Sequence, residues 1–305
     1  MLDIYSKEIN SVFYSSAFKN YHISKSGVCI NSKKIILGYA FSENVQDAVM
    51  RSRYEVLERF YGQQQTLRYL CNDCYVDLLD CNSLNKIGRI HIDNVSIGGR
   101  SLYSDLPLSA NGLAIHVSLF HAIQNAKFEV LERYWCAQFW YTKSIYQLLN
   151  VYQLSEYDVT VTNVIAHASN QGLAIISIGY DRDLNFFAAG SAFHFSQDIA
   201  IKKAEAEMLS IIEDCFRGTQ GTCTGNKAKV LSLRNKQLNM RKHKYFSEIL
   251  SAGNYTPSFP KKFDGIASLY SAKNKLYAVR AISANITELE RKRKHNTDFP
   301  EDPFL

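Results

Sequence analysis

Residues 129–134 read Glu-Val-Leu-Glu-Arg-Tyr, and residues 55–60 read Glu-Val-Leu-Glu-Arg-Phe. The same pattern leads up to the first Glu of each run: Gly-x-Ala, seven residues, Ala, six residues and then the Glu. We call this pattern the frame. A third copy of this frame begins at Gly190 and ends at Glu207. Because a repeated supersecondary unit decides a fold, we expect one plan to be used three times.

The residues around each copy indicate a strand followed by a helix. Runs with strand-type composition occupy 34–41 and 185–193. In each helical segment the apolar residues fall on one side at about 100° per residue. We therefore predict an α+β fold built from three repeated strand–helix units. The predicted repeat units lie near 30–62, 105–140 and 172–215, with a C-terminal part over 216–305.

Composition and charge narrow the class of protein. Hydrophobic residues make up 46% and charged residues 21%, with a formal net charge of +6, which is typical of a folded globular protein and not of a disordered one. No apolar run approaches the roughly 20 residues that span a bilayer. The first residues lack the apolar core of a secretory signal, so we expect a cytoplasmic protein whose seven cysteines are reduced.

Two acidic pairs offer the first candidate site. Glu55 with Glu58, and Glu129 with Glu132, are spaced so that both members of a pair point the same way on a helix. Two helices built to one plan can aim four carboxylates at one space, and Mg²⁺ often binds one or two carboxylates together with substrate phosphates. The alternative is that these glutamates form a salt-bridge network between helices.

Neighbouring residues extend this candidate site. Arg59 and Arg133 follow the second Glu of each pair and can reach a carboxylate or a phosphate. Lys203 and Glu207 add one charge of each sign from the third helix. Three alanines precede the acids by two turns on the same face, where a small side chain leaves room for something to approach the helix. They are Ala48, Ala122 and Ala200.

Other chemistries have weaker support. The sequence has no GxxxxGK[ST] loop, no GxGxxG after a strand, no HExxH and no GxSxG. Cys71, Cys74, Cys81 and His91 could supply four zinc ligands, but the second CxxC motif of a typical zinc site is missing. We therefore favour an ordinary cysteine-containing segment. Residues 215–247 contain no acid, but they lack a nucleic-acid recognition pattern and the net charge is modest, so we do not expect nucleic-acid binding.

The motifs together resemble the signature of the YcaO family. The resemblance rests on residues 109–116, on Ala122 with 129–133, on the upstream 55–59 and on Lys-Ala-x-x-Glu over 203–207. Order and spacing match over roughly 30–220, and 276–289 resembles the family's C-terminal part. The resemblance implies a single YcaO-like domain over 1–305, with antiparallel sheets around a central ATP pocket. It also implies ATP binding without a P-loop, with ATP and Mg²⁺ as cofactors.

Site residues and activity follow from the same resemblance. It assigns Mg²⁺ to Glu55, Glu58, Glu129 and Glu132, and it places Arg59, Arg133, Lys203 and Glu207 around the ATP phosphates. Family members phosphorylate a backbone amide oxygen of a ribosomal precursor peptide, after which a Cys, Ser or Thr side chain closes a thiazoline or oxazoline ring. We therefore expect an ATP-dependent cyclodehydratase subunit of microcin type, acting in bacteriocin or antibiotic biosynthesis. The alternatives are a thioamide- or amidine-forming member and a non-catalytic peptide-binding scaffold.

The resemblance also implies a tail and partners. Family cyclodehydratases often end in a proline-rich tail that orders the active site, so we expect 299–305 to lie against the ATP pocket, with Pro303 and Leu305 as candidate catalytic positions. We expect a separate leader-binding partner subunit. The basic stretch 215–247 is a candidate for the contact with it, and the alternative is that this stretch is a solvated basic loop. A flavin-dependent dehydrogenase and self-association are further expected partners.

Four positions around the motifs depart from the family pattern. Arg51 stands where the family usually has Ser, with Ser52 beside it. His116 and Val117 stand where Gly-Asn or a similar pair is usual, and His121 replaces a Glu found in some members. The acidic residues are retained, so these departures concern the surroundings of the nucleotide.

Overall fold

The computed structural model describes residues 9–15, 21–31, 34–71, 73–99, 110–143, 147–154, 158–181, 186–216, 236–252, 263–271 and 276–283. In chain order the strands and helices are β1 (Asn10–Ser15), β2 (His22–Asn31), β3 (Lys34–Ser42), α1 (Val45–Tyr61), α2 (Gln64–Leu70), β4 (Tyr75–Leu79), β5 (Lys86–His91), β6 (Leu113–His116), α3 (Leu119–Thr142), β7 (Gln147–Leu154), β8 (Val159–Ser169), β9 (Gly172–Asp181), β10 (Phe186–His194), α4 (Gln197–Phe216), α5 (Lys236–Ser251), β11 (Gly265–Ser271) and β12 (Tyr277–Ile282).

The chain forms two compact units. The first comprises 1–130 and 261–291, and the second comprises 131–260 and 292–305. Helix α3 contributes its first half to one unit and its second half to the other. The single domain expected over 1–305 stays a prediction.

All strands of the described part pair in antiparallel fashion within three sheets. The first unit contains a three-stranded sheet, ordered β1-β2-β3, and a five-stranded sheet, ordered β5-β4-β11-β12-β6. The second unit contains a four-stranded sheet, ordered β10-β9-β8-β7. The expected α+β class with antiparallel sheets is confirmed.

Each copy of the Gly-x-Ala frame falls at the edge of a sheet. Strands β3, β6 and β10 are the outermost strands of their sheets, and each is followed at once by a helix, α1, α3 or α4. The same hydrogen bond starts each helix. A side chain at the strand end accepts the backbone N–H two residues later, over 3.2, 2.9 and 3.0 Å. The accepting side chains are Ser42, His116 and His194.

The alanines of the frame lie where the rest of the protein approaches each helix. Ala48, Ala122 and Ala200 are each fully buried. The helix lies close to the edge strand: a Cβ atom on Gly38 would sit 2.1 Å from the Ser52 carbonyl oxygen, and one on Gly190 would sit 2.1 Å from that of Ala204. Small residues therefore let strand and helix pack together.

Each unit has its own apolar core. In the first unit Val56 and Phe60 of α1 pack into a cluster with strand residues such as Val76 and Ala278. In the second unit the second half of α3 buries Trp135, Phe139 and Trp140 completely. Within the described residues, no helix is both long and apolar enough to cross a membrane.

The basic stretch needs one correction. Residues 217–235 lie outside the described part, but α5 contains Arg241, Lys242 and Lys244. Arg241 and Lys244 are exposed, whereas Lys242 is only 3% exposed. A buried cation cannot take part in a docking surface, so Lys242 has to be removed from the expected partner contact.

Candidate functional site

Glu55 and Arg59 fasten helix α1 to the edge strand β3. The Glu55 carboxylate accepts the backbone N–H of Tyr39 and pairs with Arg59 one turn later. The Arg59 guanidinium also donates to the Leu37 carbonyl oxygen over 2.9 Å. These two predicted site residues are therefore oriented by the strand, on the side where a neighbouring strand would otherwise pair.

Glu58 lies close to two other carboxylates of the first unit. Among the described residues none donates a hydrogen bond to its half-buried carboxylate. Burial raises its pKa well above the ordinary value, and the nearby Glu129 and Glu55 carboxylates raise it further. The positive charges of Arg59 and Arg280 oppose this shift. Glu55, Glu58 and Glu129 thus form a group of like charges that a bound cation would stabilise.

Glu132, Arg133 and Glu207 form the corresponding group of the second unit. The Ser191 hydroxyl donates to Glu132 over 2.9 Å, and the Ser191 backbone N–H donates to Glu207 over 2.8 Å. The Arg133 guanidinium lies 3.7 Å from the Glu132 carboxylate and 3.9 Å from that of Glu207. Lys203 is exposed on α4, and its charge acts on Glu132.

Burial also dominates the acidity of Glu132. It raises the pKa of this carboxyl to about 7, and the Glu207 carboxylate adds to the rise. Arg133, the Ser191 hydroxyl and Lys203 act in the opposite direction. Near neutral pH this group therefore binds a proton that a metal ion could replace.

The two groups share a local plan. In both units the residue after the frame glycine, Tyr39 or Ser191, gives its backbone N–H to the glutamate seventeen positions after that glycine. The alternative of a salt-bridge network between helices is partly realised, because Arg133 of α3 pairs with Glu207 of α4. The pair of Glu55 and Arg59, in contrast, lies within one helix.

The donor chemistry fits Mg²⁺ in a limited way. Within the described residues, no group of three or more His, Cys, Asp or Glu side chains is arranged to hold a metal ion by itself. That arrangement is not required for Mg²⁺, which commonly uses one or two carboxylates and takes its other ligands from water and substrate phosphates. Paired half-buried carboxylates suit that mode.

Two residues escaped the sequence analysis. Ser191 is one polar side chain in the apolar strand β10, and Arg280 is a cation in the apolar strand β12. Arg280 is 4% exposed and donates to the carbonyl oxygens of Val95 and Asn111, each over 3.0 Å. A polar residue in an otherwise buried strand was the available signal for both.

The positions that depart from the family pattern lie at helix starts and surfaces. Arg51 is exposed and pairs with Asp47 over 3.1 Å. His116 is half-buried, and its ring centroid lies 4.9 Å from that of the exposed His121. Val117 is exposed. The tail, with Pro303 and Leu305, lies outside the described residues.

Comparison with known proteins gives a family and a fold. The family model described as YcaO cyclodehydratase, ATP- and Mg²⁺-binding, matches residues 103–275, which is more than half of the chain. A search of curated proteins found no match.

Solved structures resemble the chain at low sequence identity. The YcaO protein of Methanopyrus kandleri bound with AMPPCP and Mg²⁺ is 13% identical, with a TM-score of 0.65 over 96% of this chain and 90% of that one. The E. coli microcin synthetase McbBCD complex is 11% identical, with a TM-score of 0.62 over 90% and 87%. A heterocyclase in complex with substrate and cofactor is 12% identical, with a TM-score of 0.63 over 90% and 49%. These likenesses show a common fold.

Proposed function

The chain belongs to the YcaO family, and we propose that it is the cyclodehydratase subunit of a system that modifies a ribosomal precursor peptide. The family is ATP- and Mg²⁺-binding, so ATP and Mg²⁺ are the cofactors of an ATP-dependent enzyme. The proposed products are thiazoline and oxazoline rings formed from Cys, Ser or Thr residues of the peptide.

The two acidic groups carry the proposal. Glu58 and Glu132 are carboxyl groups with raised pKa values, each beside further carboxylates. Burying like charges is costly unless a cation neutralises them. We assign Glu55, Glu58, Glu129 and Glu132 as Mg²⁺ ligands, in agreement with the family resemblance.

The remaining residues have orienting and phosphate-binding roles in this proposal. Arg59 holds Glu55 on the edge strand. Arg133 lies between Glu132 and Glu207, where a guanidinium can also receive a phosphate oxygen. Lys203 is exposed on α4 and can supply a positive charge.

When bound, ATP supplies the phosphoryl group and Mg²⁺ neutralises its charge. This chain's arginines and lysine then orient the phosphates, since phosphoryl transfer depends mainly on positioning and on charge neutralisation. The amide oxygen of the peptide would receive the phosphoryl group as ADP leaves. The neighbouring Cys, Ser or Thr side chain would lose its proton and bond to the amide carbon. The amide nitrogen would then lose its proton as the oxygen leaves with the phosphate. The peptide thereby loses the elements of one water molecule for each ring.

Mass spectrometry of the peptide after incubation with ATP and Mg²⁺ tests the proposal. A loss of one water mass per ring supports cyclodehydration. A gain equal to the difference between sulfur and oxygen, when sulfide is supplied, supports thioamide formation. Peptide binding with neither a mass change nor peptide-dependent ATP hydrolysis supports the scaffold alternative.

We further propose that the enzyme acts within an assembly. A separate leader-binding subunit would present the peptide, and a flavin-dependent dehydrogenase would oxidise the rings. The E. coli microcin synthetase that shares the fold was solved as a complex, also with its pro-peptide bound, which makes an assembly reasonable here. Self-association of the chain belongs to the same proposal.

A further inference from the structure

Ser191 connects the carboxylates of two helices. Its hydroxyl donates to Glu132 of α3 over 2.9 Å, and its backbone N–H donates to Glu207 of α4 over 2.8 Å. The residue is 5% exposed, so water does not compete strongly for either hydrogen bond. One residue on the edge strand β10 thus sets the orientation of both carboxylates.

The first copy of the frame shows which of these contacts is special. Tyr39 occupies the position equivalent to Ser191 and gives its backbone N–H to Glu55, just as Ser191 gives its own to Glu207. The backbone hydrogen bond is therefore common to the first and third copies of the frame. The hydrogen bond from the Ser191 hydroxyl to Glu132 has no counterpart at Tyr39.

A structural role alone does not explain this hydroxyl. The side chains around it in β10 are apolar, including Ala189, Ala192 and Phe193. A buried hydroxyl destabilises a fold unless it is hydrogen bonded, and its hydrogen bond here goes to a carboxylate of the acidic group. An alanine would satisfy the packing of the strand.

We propose that Ser191 is a positioning residue that orients the Glu132 carboxylate for Mg²⁺. This inference rests on the proposed function, because it requires Glu132 to be a metal ligand. Groups that orient metal ligands are typically worth about 10- to 100-fold in metal affinity. Because Arg133 still lies beside Glu132 when the hydroxyl is absent, we expect an effect of about 10-fold.

Calorimetry tests the inference without relying on turnover. Binding of the nonhydrolysable analogue AMPPCP is measured against Mg²⁺ concentration for the wild type and for Ser191→Ala. The half-saturating Mg²⁺ concentration should rise about 10-fold in Ser191→Ala and remain near the wild-type value in Ser191→Thr, which keeps the hydroxyl. Ser177→Ala is the matched control, because Ser177 is a buried serine of the adjacent strand β9 whose hydroxyl has no partner among the described residues.

A double variant separates positioning from general damage. If Ser191 acts through Glu132, Ser191→Ala combined with Glu132→Gln should need no more Mg²⁺ than Glu132→Gln alone. Thermal unfolding of each variant reports on stability separately. An unchanged Mg²⁺ dependence in a folded Ser191→Ala variant overturns the role of Ser191 alone. Absence of Mg²⁺-dependent binding in the wild type overturns the metal assignment and this inference with it.

Discussion

At the scale of single residues, Glu129 and Glu132 lie three positions apart on α3. Exchange of either carboxylate for the carboxamide of Gln keeps its size and removes its charge, so no cavity forms. We expect Glu129→Gln and Glu132→Gln to lower ATP turnover by about 100-fold or more, because a lost ligand should cost at least as much as a lost orienting group.

The control for this pair is Glu248→Gln on α5, where an exposed carboxylate pairs with Lys143 over 2.7 Å. That variant should keep full turnover. The measurement is phosphate release, with circular dichroism to show that all three variants are folded. Normal turnover in both α3 variants would contradict the metal assignment.

His167 gives a residue-scale prediction about pH. It stacks on Trp135 with ring centroids 3.7 Å apart, and burial lowers its pKa to about 4. In the unfolded chain its pKa is near 6.5, so only the unfolded state takes up the proton between these values. The free energy of unfolding should therefore fall as the pH decreases from about 6.5 to about 4, by about 3 kcal/mol at most.

Chemical denaturation at several pH values checks this expectation. His167→Phe keeps an aromatic ring against Trp135 and cannot take up a proton. Its stability should match the wild type near pH 7 and should decline less on acidification. Parallel pH curves for the two proteins would show that His167 is not responsible.

At the scale of elements, the close approach of α1 to β3 can be tested at Gly38. A Cβ atom there would lie 2.1 Å from a backbone oxygen of α1, and backbone atoms cannot move aside cheaply. Gly38→Ala should reduce the free energy of unfolding by about 2–3 kcal/mol, as overpacking does elsewhere.

Gly88→Ala provides the matched comparison in the same unit. Gly88 is also in a strand, β5, and a Cβ atom there would meet nothing within 4 Å. Urea unfolding should show a small effect for this variant. Equal losses in the two variants would mean that the frame glycine is not needed for strand–helix packing.

The strands and helices that carry the frame show which features of the fold could be predicted from the sequence. Strand-type composition correctly predicted strands at 34–41 and 185–193, and apolar periodicity predicted the helices after them. The resemblance of the motifs correctly indicated the YcaO family. Periodicity shows which side of a helix is apolar, but it does not show what lies against the other side. The sequence indicated only that something could approach the helix at Ala48, and the structure shows that this residue packs in the core.

Contacts distant in sequence account for most of what was missed. The Ser191 hydroxyl meets a glutamate 59 positions earlier, and Arg280 meets a carbonyl 185 positions earlier. A local pattern cannot encode such pairs. Lys242 was misjudged for a related reason, because the charge of a stretch does not show which of its residues is turned inward.

At the scale of the whole molecule, the expected partner contact can be tested at Arg241 and Lys244, which are exposed cations of α5. Arg241→Glu with Lys244→Glu should weaken association with an acidic leader-binding subunit by about 10-fold at low salt, and by less at high salt, because surface charges are screened. Lys242 is left unchanged, since its reversal would bury an unpaired acid.

Sedimentation of mixtures at two salt concentrations measures this effect. Arg68→Glu with Lys86→Glu makes the same change in net charge at exposed positions of the first unit and should leave association intact. Cyclisation by the isolated chain at the rate of the mixture would contradict the need for a partner.

The edge position of the frame strands has a consequence for solubility. The outer strand of a sheet offers unpaired N–H groups to strands of other molecules, which is a common route to aggregation. In β3 and β10 the carboxylates of Glu55 and Glu207 already accept such a group. The acids that end the frame therefore also protect two sheet edges, and variants that remove them should need to be tested for aggregation before any loss of activity is interpreted.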